Sequence, residues 1–171
     1  MKPKYLWRLI CVLGIFLGLS CTVSYKFNGA SIDYSKIKTI AIADFPNIAE
    51  SVYPPLANQF MEALRDIYSR QTRLQILNKG GDLELEGEIV GYDIAPMAIS
   101  ADSYAAETKL TLTVKVRFTN NVNPEDSFEK QYSASQNFDS SRMLTDVQDE
   151  LITLMTQDIT ESIYNDTVAK W

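Results

Sequence analysis

The 171-residue chain contains no histidine. That removes the side chain that most often acts as a general base near neutral pH, binds zinc, or activates a serine or cysteine nucleophile. Metal-dependent or triad hydrolysis by the familiar routes is excluded. Glycine is scarce, and Gly80-Gly81 stands alone, without the spacing or context of a phosphate-binding loop. Basic residues are outnumbered, 16 Lys and Arg against 22 Asp and Glu, giving a formal net charge of −6. Such a balance repels nucleic acid and anionic lipid at long range, so any anionic ligand must meet a local basic patch. Internal repeats and low-complexity tracts are also missing.

Only two cysteines occur, Cys11 and Cys21, and both lie near the N-terminus. The apolar run Leu9 to Leu19 follows Lys2, Lys4 and Arg8 and closes on Gly18-Leu19-Ser20-Cys21. A basic start, a short apolar core and small residues before a cysteine define a bacterial lipoprotein export signal. The position three before the cysteine is Gly18, where such boxes usually carry leucine, which is found here on either side. The run is short for a spanning helix, which needs about 20 apolar residues, so a cleaved lipoprotein signal is the expectation and an uncleaved anchor the alternative. Cleavage before Cys21 carries Cys11 away with the leader, so an intrachain disulfide cannot form. It also shifts the formal net charge from −6 to −9 by removing the three basic residues. Acyl chains on Cys21, palmitate among them, would hold the protein on a bilayer, since two or more chains bind effectively permanently. Thr22 follows the cysteine in place of the aspartate that signals inner-membrane retention, so an outer-membrane, periplasm-facing location is expected.

The expected organisation is a signal peptide over 1–20, a lipidated tether over 21–36 and a single domain over 37–171, a length sufficient for a real core. Ile37 to Phe45 is a nearly continuous apolar run, as in a strand covered on both faces, and Pro46 ends it. Pro54 and Pro55 suit a first helical turn, and Leu56, Phe60, Leu64 and Ile67 recur at helical spacing up to Arg70–Thr72. Leu74 to Leu77 has the composition of a further short strand, and Lys79-Gly80-Gly81-Asp82 reads as a turn. Leu83, Leu85 and Ile89 alternate with Glu84, Glu86 and Glu88 in a long strand, in which Gly87 and Gly91 suggest a bulge or a close backbone approach. Leu110, Leu112, Val114, Val116 and Phe118 alternate without exception with polar residues, marking one core face and one wet face. The turn Asn120 to Pro124 leads to a paired strand through Phe128, Tyr132 and Ala134. Thr145-Asp146-Val147-Gln148 fits a capping box, and Val147, Leu151, Met155, Ile159 and Ile163 form the stripe of a closing helix. The fold class is therefore α+β, with two helices packed on one face of a mainly antiparallel four-stranded sheet in the order β-α-β-β-β-α.

Three groups of residues invite a functional reading. Glu84, Glu86 and Glu88 share one strand face at about 6–7 Å spacing, comparable to the carboxylate pairs of glycosidases; the plainer reading is a solvated acidic face. Lys115 and Arg117 could read a phosphate or simply solvate their strand. The segment Ile94 to Ala106 carries Met97, Ile99 and Tyr104 where a polar loop is expected, which marks either a contact surface or a flap folded over the core edge.

Together these residues carry a resemblance. Ser24-Tyr25-Lys26-Phe27-Asn28-Gly29, Lys38-Thr39-Ile40-Ala41-Ile42, Gln71-Thr72-Arg73-Leu74, Gly81 to Gly87 with Tyr92, Leu110 to Phe118 and the ending Ile163-Tyr164-Asn165 to Trp171 resemble the LptE family of lipopolysaccharide-assembly lipoproteins, in its Bacteroidetes-type branch. The resemblance implies two helices against a four-stranded sheet and a non-enzymatic role without a cofactor. It also implies a position inside the lumen of the LptD β-barrel, as a plug that assists barrel assembly and lipopolysaccharide delivery to the cell surface. On that reading Lys109, Lys115 and Arg117 are candidate lipopolysaccharide contacts, and Met97, Ile99 and Tyr104 a candidate barrel-contact loop. Two other functions stay open. The strand Ile40 to Asn47 also suits envelope lipoproteins that regulate a peptidoglycan synthase, and the glutamate strand suits an acidic hydrolase.

Overall fold

The computed structural model describes residues 32–51, 53–97 and 106–169. Five strands form one mixed sheet in the order β2-β1-β3-β4-β5, and two helices cover one of its faces. The strands are β1 (Thr39–Ile42), β2 (Gln75–Leu77), β3 (Leu83–Pro96), β4 (Glu107–Asn120) and β5 (Phe128–Asp139), and the helices are α1 (Leu56–Gln71) and α2 (Leu144–Thr167). The α+β architecture is as expected, with one strand more than the four anticipated: β2 adds an edge by pairing in parallel with β1.

β1 is shorter than the apolar run that encodes it. Its ladder stops at Ile42, although Ala43 still donates its N–H to Leu85 and Ile48 to Ile89. Ile40, Ala41 and Ile42 are all buried, because β1 lies between β2 and β3 and is parallel to both. β3, β4 and β5 then form an antiparallel meander with long, in-register ladders. The register shifts between Ile89 and Gly91, so Val90 is the extra residue of a bulge, and Tyr92 returns to the covered face. Gly87 answers to a close approach. A Cβ there would lie 2.5 Å from the Phe45 ring and 2.3 Å from the Lys115 carbonyl oxygen, so the missing side chain makes room for that ring. Phe45 in turn packs on Phe60 of α1 at 5.3 Å between ring centroids.

α2 buries the expected stripe, Val147, Leu151, Met155, Ile159 and Ile163, and α1 buries Leu56, Phe60 and Leu64 as expected, but Tyr68 completes its stripe in place of Ile67, which is only half-buried and borders α2. Each large apolar side chain sealed in this way contributes about 1.5–3 kcal/mol. The capping box does not form. α2 begins at Leu144 after Met143, with no side-chain cap, and Gln148 instead donates its amide N–H to the Tyr92 hydroxyl at 2.6 Å. Met143 is extended, and the apolar Leu144 joins the helix and packs on the core, which moves Thr145 inside the first turn.

The chain direction gives the domain two unlike ends. β1, β2, β3 and β5 run away from the end where residue 32 enters, and β4, α1 and α2 run back toward it, so the helices are parallel neighbours. At the entry end the last turn of α2 closes over α1: the Tyr68 hydroxyl donates to Thr167 Oγ1 at 2.6 Å, and Thr167 donates to the Ile163 carbonyl at 2.8 Å. Burial pushes the Tyr68 hydroxyl well above its ordinary pKa. Asp82 ties the β2–β3 turn to the start of β1 by accepting from the Lys38 and Thr39 amides and the Thr39 hydroxyl at 2.8–3.0 Å.

Candidate functional site

The residues singled out in the sequence fall mainly on the open face of the sheet, and they neutralise one another. Antiparallel register sets Glu86 opposite Arg117 and Glu88 opposite Lys115 on the β3–β4 pair, and Arg117 opposite Glu129 on the β4–β5 pair. Arg117 reaches Glu86 at 3.1 Å and Glu129 at 3.2 Å, and Lys115 reaches Glu129 at 2.6 Å. These contacts hold the Glu129 carboxyl below its ordinary pKa, chiefly through the Lys115 hydrogen bond, and raise Lys115 and Arg117 through the same carboxylate. All are exposed, so the network shapes the surface more than it stabilises the fold.

Beside this network lies a shallow groove of about 330 Å³ containing Asp44, Glu86, Glu88, Lys115, Arg117 and Glu129. Its four carboxylates outnumber its two cations, which disfavours an anionic guest. Lys109 shares the face but sits six residues along β4, about 20 Å from Lys115, so the three cations do not converge. The glutamates are equally spread out: Glu86 is committed to Arg117, and no enclosed site brings two of them onto one reacting atom. Among the described residues, no cluster of Asp, Glu or Cys is suited to hold a metal ion, and no helix is long and apolar enough to cross a membrane.

Four of the exposed large apolar side chains among the described residues gather toward the far end of the domain, whereas Tyr34 and Val122 lie at the entry end and Leu154 on α2. Ile94 and Pro96 belong to β3 rather than to a loop, and Met97 follows them, half exposed, with its N–H donated to the Glu107 carbonyl. Ile48 and Met143 are exposed on the segments that lead into α1 and α2 at this same end. Ile99 and Tyr104 lie outside the described residues, as does Cys21.

Two arrangements escaped the sequence reading. Tyr53 stacks on Tyr92 with 6.5 Å between ring centroids, and the Tyr53 hydroxyl donates to the Asp149 carboxylate, which raises its pKa. The partners are 39 and 96 residues away in sequence, so no local pattern announces them. The second is a groove of about 770 Å³ between α1 and α2, bounded by Gln59, Glu62 and Asp66 on one helix and Thr153, Thr156 and Glu161 on the other. Opposed helical stripes form it, and only knowledge that the helices are parallel neighbours could have paired them.

A two-layer α+β domain with an ion-paired open face, exposed apolar side chains toward its far end and a groove between its helices has the features of a binding module. The chain belongs to the LptE family, described as lipopolysaccharide-assembly, whose model matches residues 37–167. Its role thus falls within lipopolysaccharide assembly. No curated protein matches it in sequence. Similar solved structures include a minor lipoprotein from Acinetobacter baumannii (11% identity, TM-score 0.48, covering 75% of this chain and 92% of that one). Another is the rare lipoprotein B from Shewanella oneidensis (11% identity, TM-score 0.45, covering 75% and 90%). A third is a homologue of a neuraminyllactose-binding hemagglutinin from Helicobacter pylori (9% identity, TM-score 0.52, covering 83% and 88%), a likeness of fold alone.

Proposed function

We propose that this protein is the lipoprotein partner of an LptD-type β-barrel, occupying the barrel lumen, assisting barrel assembly and supporting delivery of lipopolysaccharide to the cell surface. The family match over residues 37–167 carries the reading. The open face of β3, β4 and β5 is compatible with it, because its ion-paired Glu86, Glu129, Lys115 and Arg117 and its hydroxyls can exchange hydrogen bonds with a polar lumen. The leader over 1–20 is removed, Cys21 is acylated, the tether over 21–36 spans the distance to the membrane, and the domain over 37–171 docks. Met97, at the end remote from the tether, contributes barrel contacts, and Ile99 and Tyr104 share that role. Contact of Lys109, Lys115 and Arg117 with lipopolysaccharide is the subordinate part, since a phosphate there must displace Glu86 and Glu129 from their cations.

Purification through this chain from membranes in mild detergent tests the reading. The expected result is co-recovery of a large outer-membrane barrel, together with loss of surface lipopolysaccharide when the chain is depleted. Recovery of the lipoprotein alone overturns it, and defective cell-wall synthesis with intact surface lipopolysaccharide points instead to regulation of a peptidoglycan synthase.

A further inference from the structure

We infer that the groove between α1 and α2 is the seat for a lysine or arginine side chain presented by the partner polypeptide. The inference rests on the reading that the chain works docked to a protein partner, and it names the helix face as part of the contact.

Both helices satisfy their sheet-facing stripes with apolar residues, yet the groove between them sets buried polar groups beside Ala63 and Ile67. On α2 the groove side carries Thr153, Thr156, Gln157 and Thr160, a stripe at helical spacing where a helix that only covered a sheet would carry leucine or alanine. Thr156 is 3% exposed and its hydroxyl has no hydrogen-bond partner; across the seam the Gln59 carbonyl oxygen Oε1 is also buried and unpaired. Neighbouring threonines behave differently, with Thr153 donating to the Asp149 carbonyl at 2.8 Å and Thr160 to the Gln157 carbonyl at 3.1 Å. Leaving two buried polar atoms unpaired is costly unless something supplies their hydrogen bonds.

The chemistry of the missing group follows from what surrounds it. Gln59 Oε1 accepts only, and Thr156 Oγ1 can accept. Glu62 and Glu161 stand on opposite banks, and the one cation on the rim, Arg70, is committed to Asp66 at 2.7 Å. α2 deepens the field, since it bears Asp146, Asp149, Glu150, Asp158, Glu161 and Asp166 and no basic residue. Two unpaired acceptors inside a negative field, with the Gln157 amide already given to Glu161 at 3.1 Å, fit a multivalent cationic donor, an ammonium or a guanidinium. An approaching anion is repelled, and so is a second copy of this acidic chain.

The test uses the full-length lipoprotein in its native membranes. A photo-crosslinking residue at Thr153 or Gln157 is expected to yield adducts with the barrel whose attached peptide contains lysine or arginine, whereas partner peptides without a cation overturn the inference. The double variant Glu62→Lys/Glu161→Lys should lower barrel recovery at least about tenfold, with recovery restored when the identified partner cation is changed to glutamate. Thr156→Val separates binding from folding. Replacing an unpaired buried hydroxyl with a methyl should raise the melting temperature of the isolated chain by about 2–4 °C while cutting barrel recovery about tenfold. A higher melting temperature with unchanged recovery overturns the inference and leaves the barrel reading standing. Failure of the unmodified chain to bring any barrel overturns both.

Discussion

Along β4, Leu110, Leu112, Val114, Val116 and Phe118 are sealed beneath the helices, while Thr111, Thr113, Lys115, Arg117 and Thr119 of the same strand stay on the wet face. One backbone thus serves two environments. On the covered side the interactions are non-directional, add up over many apolar contacts, and leave no group free to react or to recruit. On the open side they are directional and reversible, and Lys115 and Arg117 are satisfied locally by Glu86 and Glu129 on the neighbouring strands. Stability and recognition should therefore respond to different substitutions.

The largest effect is expected on the covered side. Phe60→Ala removes the ring that packs on Phe45 and leaves a cavity beneath α1, at a cost of about 3–5 kcal/mol. Urea unfolding should report a lower midpoint with little change in slope; a loss below about 1 kcal/mol would mean that the helix layer is not where the stability resides.

A smaller and pH-dependent effect is expected at Asp82, on the seam between the two environments. Its carboxyl is held below the ordinary value of 3.8 by the Lys38 amide above all, then by Thr39. A depressed folded-state pKa gives stability that is present in full above the unfolded value and lost as pH falls through the folded one. Asp82→Asn should accordingly melt below the parent by a constant margin above about pH 5, and the margin should narrow below about pH 4. A margin independent of pH down to pH 2 would show that the hydrogen bonds, and not the charge, carry the contribution.

The smallest effect belongs to the open face. Lys115→Gln/Arg117→Gln removes three exposed ion pairs, and its thermal melt should stay close to the parent's, with any difference shrinking as salt is added. A loss comparable with that of Phe60→Ala would erase the distinction between the two faces.

Much of the architecture was legible wherever a period survived intact. The unbroken alternation from Leu110 to Phe118 could only be a half-covered strand, and the spacing of Leu56, Phe60 and Leu64 could only be a helix with one buried side. Boundaries were less legible, because tertiary partners decide them. Gln148 could have closed a capping box but is taken by Tyr92, and β1 stops short of Phe45 because that ring turns inward over Gly87. The parallel pairing of β1 with β2 and β3 depends on contacts some 35–45 residues apart, for which local composition holds no signal. The same limit hid the inter-helix groove. Thr153, Thr156 and Thr160 read as the wet side of a helix until α1 is set beside them.

The bond between Tyr68 and Thr167 spans 99 residues and joins the first helix to the final turn of the last. Core closure therefore waits for nearly the whole polypeptide to be delivered, and contacts of such long range make folding slow. Until then the meander holds five large hydrophobic side chains of β4 open to water, a template for misassembly. A chain released a few residues early, at Asn165, lacks this last internal latch.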